Sequence, residues 1–336
     1  MLKLTSKAYR LPLKHPFTIS RYTVEIQETV IVTISDGTHS GYGEATANPY
    51  YGSTVDKIKT SVESVRDIVE QSSGMAPDDL WRRLEPLLQD DYFALCALDC
   101  AFWDLYGRKN QKKLRSLFSS LEETPMSNYT IGIDDIELMK QKILEKPWPV
   151  YKIKLGTEDD ISILRELREV TDAVFRVDAN CSWNADQTLK YVPDLKALNV
   201  EFIEQPLLAD DWEGMRYLKP RCELPLIADE SCRRYEDVMP CAEGFDGINI
   251  KLMKCGGITP AVMMIELARE MELTVMAGCM TESSVGISNL AQIAPLLDAI
   301  DADGPLLLEH DIAEGVFLEN GRIIYSEKNG SGAVLK

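Results

Sequence analysis

The chain predicts an α/β fold, a (β/α) barrel behind an α+β domain, and three observations carry that expectation. From Met126 onward, short apolar runs rich in β-branched residues recur about every 20 to 27 residues, separated by amphipathic stretches. Most of those runs end in an ionisable residue. The length of 336 residues corresponds to roughly two domains of about 150 residues. Strand and helix alternating at this interval mark parallel βα units, and eight of them close most readily into a barrel.

Ahead of the barrel, Glu28–Ile34 alternates apolar and polar residues, turns at Ser35-Asp36-Gly37 and resumes at Gly41–Ala45, which predicts an antiparallel meander. Apolar Ala94, Ala97, Leu98, Ala101, Phe102 and Leu105 keep helical spacing and predict a long helix over Phe93–Arg108. Residues 1–120 are therefore expected to form the α+β domain and residues 121–314 the barrel. Seven barrel runs are Tyr129–Ile133, Val150–Leu155, Val174–Val177, Val200–Ile203, Pro225–Ala228, Gly247–Ile250 and Leu273–Ala277, with a weaker eighth near Leu297–Ala302. In the last segment, residues 315–336, Gly321–Tyr325 alternates again and is expected to return as a strand to the first domain.

Composition removes several function classes. A net charge of −18 repels phosphate backbones and anionic membrane surfaces, so neither nucleic acid nor membrane is an expected partner. No uncharged run approaches the ~18 residues of a membrane span and no secretory leader is visible, so the chain reads as cytoplasmic. Eight scattered cysteines without a CxxC pair read as reduced, buried thiols. The three histidines show no ligand spacing, and Cys255-Gly256-Gly257 reads as a tight strand-to-helix turn before it reads as an anion cradle.

The strand ends carry the chemistry. They read Lys152-Ile153-Lys154, Asp178-Ala179-Asn180, Glu204-Gln205-Pro206, Asp229-Glu230-Ser231 and Lys251-Leu252-Met253-Lys254; from Lys154 the successive intervals to Asp178, Glu204, Asp229 and Lys251 are 24, 26, 25 and 22. One aspartate at a strand end is ordinarily a helix cap, but a charge repeated at one end of successive barrel strands belongs to a functional mouth. Asp178, Glu204 and Asp229 would sit on neighbouring strands, and three hard oxygen donors without His or Cys suit Mg²⁺. Lys152 and Lys154 share one face of their strand by its period of two, with Lys251 on the opposite wall. A cation that binds a substrate carboxylate stabilises the enediolate left when the α-proton departs. Lys154 can serve as base only if its pKa falls, and the ammonium of Lys152 and the metal both push in that direction.

At these positions the chain resembles the enolase superfamily, in its muconate lactonising enzyme subgroup. The likeness runs through Gly41-Tyr42-Gly43-Glu44-Ala45, the helix Ala97-Leu98-Asp99-Cys100-Ala101-Phe102-Trp103-Asp104-Leu105, and the KxK, DAN, EQP, ADES and KLMKCGG segments. It implies a modified TIM barrel of the (β/α)7β type with an N-terminal α+β capping domain. It also implies Mg²⁺ on Asp178, Glu204 and Asp229, acid/base lysines at Lys154 and Lys251, and an auxiliary Lys152; a lysine base beside Mg²⁺ is known chemistry of that superfamily, not a deduction from the spacing. Asn249–Ile258 and the late Asp301-Ala302-Asp303-Gly304-Pro305-Leu306 are similar to dipeptide epimerases of the L-Ala-D/L-Glu type, which implies that Asp301 and Asp303 meet the substrate's ammonium. Arg21 falls near the carboxylate-binding arginine of glutamate-specific members, and Tyr50 and Tyr51 fit the loop that shapes the side-chain pocket.

The function so implied is inversion of the C-terminal α-carbon of L-Ala-L-Glu or other L-Ala-L-Xaa dipeptides, by an enzyme whose small-molecule chemistry is compatible with a homo-oligomer. Muconate cycloisomerase, o-succinylbenzoate synthase and N-acylamino acid racemase are the alternatives within the superfamily, and an inactive ligand-binding barrel is the alternative outside enzymes. An acid-sugar dehydratase lacks a candidate for its usual histidine base.

Overall fold

The computed structural model describes residues 1–336. Strands β1 (Lys3–Thr18), β2 (Thr23–Ser35) and β3 (Ser40–Thr46) form an antiparallel sheet in that order. Helices α1 (Val55–Ser64), α2 (Arg66–Glu70), α3 (Pro77–Leu84), α4 (Tyr92–Lys109) and α5 (Arg115–Phe118) complete this cap. The central helix lies directly on β3 because two residues of that strand have no side chain. A Cβ at Gly41 would stand 2.1 Å from the Ala101 carbonyl oxygen, and one at Gly43 2.0 Å from that of Ala97. Thirteen of the eighteen residues of α4 are buried, so its apolar character runs all the way round.

Eight parallel strands follow: β4 (Tyr129–Ile131), β5 (Val150–Lys154), β6 (Val174–Asp178), β7 (Val200–Glu204), β8 (Leu226–Ala228), β9 (Gly247–Lys251), β10 (Thr274–Gly278) and β11 (Ala299–Ile300). Their hydrogen-bonded order matches their chain order, and a parallel bridge from Ser127 to Ile300 joins the last strand to the first. Helices α6 (Ile136–Glu145), α7 (Asp160–Arg168), α8 (Ala185–Ala197), α9 (Trp212–Leu218), α10 (Val238–Gly244), α11 (Leu252–Cys255), α12 (Ile258–Glu270) and α13 (Ser284–Leu290) make the seven crossovers, α11 and α12 sharing one. The result is the (β/α)7β arrangement. No helix is long and apolar enough to cross a membrane.

The cap is fastened to the barrel by buried acids. Asp99 on α4 accepts from the backbone N–H (2.9 Å) and hydroxyl (2.7 Å) of Thr259, at the start of α12, where the preceding Gly257 supplies no side-chain cap. Gly257 sits at φ +122, and a Cβ there would lie 2.3 Å from the Asp99 carboxylate. The Gly256-Gly257 turn is thus the predicted strand-to-helix turn, and the missing side chain at Gly257 leaves room for the Asp99 carboxyl beside the head of α12. Glu44 on β3 likewise accepts from Ser283 and from the Gly286 N–H at the head of α13.

The tail differs from expectation. Residues Arg322–Ile324 form a strand, but it pairs in a hairpin with Phe317–Glu319, and the Ser127 N–H donates to Gly321 beneath the barrel, so it never reaches the cap sheet. The alternation arises because the hairpin covers the N-terminal ends of β4 and β5, near Trp148 and Pro149. Contact with the cap begins at the end of the Arg322–Ile324 strand, where the centroid of the Tyr325 ring lies 4.1 Å from the guanidinium of Arg115 on α5, and continues as the Leu114 N–H donates to Gly330, Ser331 N–H to Asp104 (2.7 Å), and Arg108 to Ala333.

Candidate active site

The barrel strands deliver charge to their C-terminal ends through their period of two. On β5, Tyr151 and Ile153 point outward, the Tyr151 hydroxyl donating to the Lys146 carbonyl, while Lys152 and Lys154 point inward. In the neighbouring strands, Lys154 is in register with Asp178 and Asp178 with Glu204, while Asp229 follows the last residue of β8. The three carboxylates offer oxygens within 4.8 Å of one another, and all three side chains are buried.

Each carboxylate is answered by a lysine. The Lys154 ammonium donates to Asp178 at 2.6 Å and that of Lys251 to Asp229 at 2.8 Å. Lys152 lies 2.9 Å from both oxygens of Glu204, 3.2 Å from Asp301 and 3.4 Å from Asp178. Burial opposes the charge on Asp178, yet Lys154 and Lys152 outweigh it and hold the carboxyl down at about 2. Asp229 is likewise held well below the usual range, against burial, by Lys251 and Lys254. Glu204 goes the other way, raised to about 7 by burial and by the charge of Asp178. Despite burial, Glu204 and Asp301 hold Lys152 well above the ordinary lysine value.

These residues fit a hard divalent cation. Glu204 Oε2 is buried and accepts no hydrogen bond, although Lys152 is near it. A carboxylate oxygen in that condition, facing two other carboxylates, is an available ligand.

Lys154 and Lys251 line one cavity of about 90 Å³, from β5 and β9, four strands apart in the order of eight. Asp301 and Asp303, after β11, border it; Asp301 accepts from Asn128 (3.0 Å) as well as from Lys152, and Asp303 from the Thr130 N–H (2.5 Å). Burial and then the neighbouring Asp301 push the Asp303 carboxyl well above the carboxylate range. The cap closes the cavity with Ile19, Arg21, Tyr22, Tyr50 and Tyr51, and Tyr51 packs on Phe93 of α4 at 5.7 Å between ring centroids.

Three supporting residues carry no role in the sequence reading. Lys254 is fully buried and donates to the Asp229 carboxylate (2.6 Å) and to the backbone oxygens of Asp229, Cys232 and Asn249, so it braces the Asp229 loop. Gln205, at φ +37, accepts from the Asp229 and Ser231 N–H groups and donates to the Ser231 hydroxyl. Asn249 donates to Glu204 at 2.9 Å. Lys254 had a readable signal, a lysine set within an otherwise apolar stretch that ends in two glycines. Nothing in the sequence indicated the reach of the two amides.

Residues 2–118 match the family model described as "Mandelate racemase / muconate lactonizing enzyme, N-terminal domain", and residues 134–336 match "Enolase C-terminal domain-like". An L-Ala-D/L-amino acid epimerase of Flavobacterium johnsoniae is 50% identical over 335 residues, covering 99% of this chain and 100% of its own. Among solved structures, a substrate-liganded L-Ala-D/L-Glu epimerase from Bacillus subtilis superposes with a TM-score of 0.94 at 27% identity, covering 99% of this chain and 98% of that one. The dipeptide epimerase of Enterococcus faecalis V583, complexed with Mg and the dipeptide L-Leu-L-Tyr, gives 0.94 at 30% identity with 99% of both chains covered.

Proposed function

Because the chain belongs to the mandelate racemase / muconate lactonizing enzyme family, with an enolase-like barrel, we propose that it is a Mg²⁺-dependent dipeptide epimerase acting on L-Ala-L-Xaa dipeptides. The observation that carries this reading is the pair Lys154 and Lys251 on opposite walls of one cavity, each ion-paired with a carboxylate of the same cluster.

Asp178, Glu204 and Asp229 would hold the cation. Bound there, it supplies positive charge that lowers the cost of the enediolate left by α-proton removal. The remaining steps belong to the chain. Lys154 accepts the α-proton of the C-terminal residue at Nζ on one face, and Lys251 donates a proton from Nζ on the other, so the centre inverts; the reverse direction exchanges the two roles. A charged, paired lysine cannot act as base, so in either direction the lysine that accepts the α-proton must first be neutral and released from its carboxylate, while the other keeps the proton it will donate. Lys152 keeps its charge, orients Glu204 and Asp301, and adds a positive charge on the Lys154 side. Asp301 and Asp303 accept hydrogen bonds from the substrate's N-terminal ammonium, charge-assisted contacts worth roughly 1.5–3 kcal/mol each. We place the activity in the cytoplasm, a setting supported by eight cysteines that are all free.

The test is incubation of the Mg²⁺-loaded protein in D₂O with free and N-acetylated L-Ala dipeptides, scored by mass for α-deuteration and by chromatography for the new epimer. Deuteration and epimerisation confined to the free dipeptides is the expected result. Equal turnover of both forms would shift the reading to an N-acylamino acid racemase or an o-succinylbenzoate synthase.

A further inference from the structure

The position of Arg21 near a carboxylate-binding site invites the view that it reads an acidic substrate side chain, but its guanidinium is already engaged. Its Nη2 donates to Glu230 Oε1 at 2.5 Å, its Nη1 donates to the Asn180 carbonyl at 3.0 Å, and the group lies over the Tyr50 ring, 4.2 Å from the centroid. Glu230 is 2% exposed, and its other oxygen, Oε2, is buried with no hydrogen-bond partner. Arg21 and Glu230 both line the cavity that holds Lys154 and Lys251. A buried carboxylate oxygen with no donor carries an uncompensated desolvation cost, which a donor on a bound ligand relieves.

We propose that the Arg21–Glu230 pair reads the side chain of the dipeptide's second residue, admitting uncharged side chains that carry a hydrogen-bond donor, such as Ser, Thr and Gln, and rejecting acidic ones. This deepens the epimerase reading and rests on it. An acidic side chain finds the guanidinium neutralised and confronts the free oxygen of Glu230, a like-charge contact at a carboxylate that is itself buried. A cationic side chain gains Glu230 but meets Arg21 beside it. A neutral donor satisfies Oε2 and leaves the ion pair intact. Discrimination of this kind is strong because the mismatched ligand leaves buried polar groups unpaired.

L-Ala-L-Gln and L-Ala-L-Glu isolate the effect, being nearly identical in shape and different in charge. With the Mg²⁺-loaded enzyme, kcat/KM for the Gln dipeptide is expected to exceed that for the Glu dipeptide by about tenfold or more, since like-charge juxtaposition strongly disfavours the wrong partner. Glu230→Gln frees the guanidinium, so the preference should fall below one, chiefly through a lower KM for L-Ala-L-Glu. Arg21→Met leaves Glu230 charged and alone, so the preference for Gln should widen; this second variant decides the matter if the first does not fold, as judged by thermal unfolding. A wild-type enzyme that turns over both dipeptides equally, or a ratio that neither variant moves, overturns the pair as a reader while the epimerase reading stands. No α-deuteration with any L-Ala dipeptide overturns that reading and this inference with it.

Discussion

Asp99→Asn tests how the cap is held. The carboxylate is fully buried, accepts two hydrogen bonds from Thr259, and is raised from 3.8 to about 7, burial outweighing the hydrogen bonds that favour its charge. A carboxyl whose pKa is higher folded than unfolded contributes stability that is fully present below the unfolded value and lost as pH rises to the folded one. For these two values the loss between about pH 4.5 and pH 7.5 is on the order of 3 kcal/mol, at about 1.4 kcal/mol per unit. Unfolding entropy for a chain of this length amounts to about 0.7 kcal/mol per degree, so Asp99 alone should lower Tm by roughly 4 °C over that range. The assay is differential scanning calorimetry of both proteins at the two pH values, where the difference of differences removes every other titrating group. The substituted amide cannot titrate, so the variant's Tm should change less with pH, and at low pH it should be less stable by about 1 kcal/mol for a hydrogen bond remade with poorer geometry. An identical pH slope in the two proteins would refute the reasoning, because Asp99 would then be ionised throughout, with the Thr259 donors and the head of α12 prevailing over burial.

The other predictions concern the site and the sheet beneath α4. Asp229→Asn removes a ligand charge and the partner of Lys251 and Lys254, so calorimetric titration with Mg²⁺ should show weaker binding, and excess EDTA should silence the wild type; unchanged affinity would remove Asp229 from the cation site. Lys154→Ala and Lys251→Ala should each lower epimerisation by at least the ~10²–10⁴-fold carried by a general acid/base, while the surviving lysine still exchanges the α-proton of one epimer in D₂O. A single variant that still interconverts both epimers at the wild-type rate would falsify the two-base assignment. Gly43→Ala places a Cβ 2.0 Å from the Ala97 carbonyl oxygen and forces α4 off the sheet; overpacking of this kind costs about 1–3 kcal/mol or more, and a Tm within a degree of wild type would show that the helix can yield.

What the sequence made legible was whatever repeats or alternates. Eight strands and the charges at their ends follow from one period applied along the barrel, and α4 follows from unbroken helical spacing of small and apolar residues. Strand β1 was harder to see, because its register breaks between Pro12 and Phe17 and most of its residues are exposed or half-buried, so it lacks a clean alternation. The hairpin of the tail was visible as a strand, yet its partner was not, since pairing depends on where the chain passes rather than on local composition. The same limit hid the brace formed by Lys254 and Gln205, and the pairing of Arg21 with Glu230, whose partners lie 209 residues apart. Local pattern announces which residues are charged or apolar; it says little about which of them will be neutralised by each other.

The cavity has two owners, and this bears on how such a protein changes over generations. Lys154, Lys251 and the carboxylates of Asp178, Glu204 and Asp229 sit at the ends of barrel strands, whereas Ile19, Tyr50 and Tyr51 come from loops of the cap. Substitutions in those loops can enlarge or narrow the space for a substrate without disturbing a single strand end, so the size of the accepted side chain is free to drift. If the Arg21–Glu230 pair reads charge as proposed, the charge of that side chain is not: the counter-charge to Arg21 stands at Glu230, one residue beyond Asp229, so a lineage that acquires a taste for acidic substrates must either alter a residue next to a proposed cation ligand or bring a second positive group in from the cap. Diversity in bulk should therefore be common among descendants of this architecture, and reversals of charge preference rare and accompanied by compensating changes in the loops around Arg21.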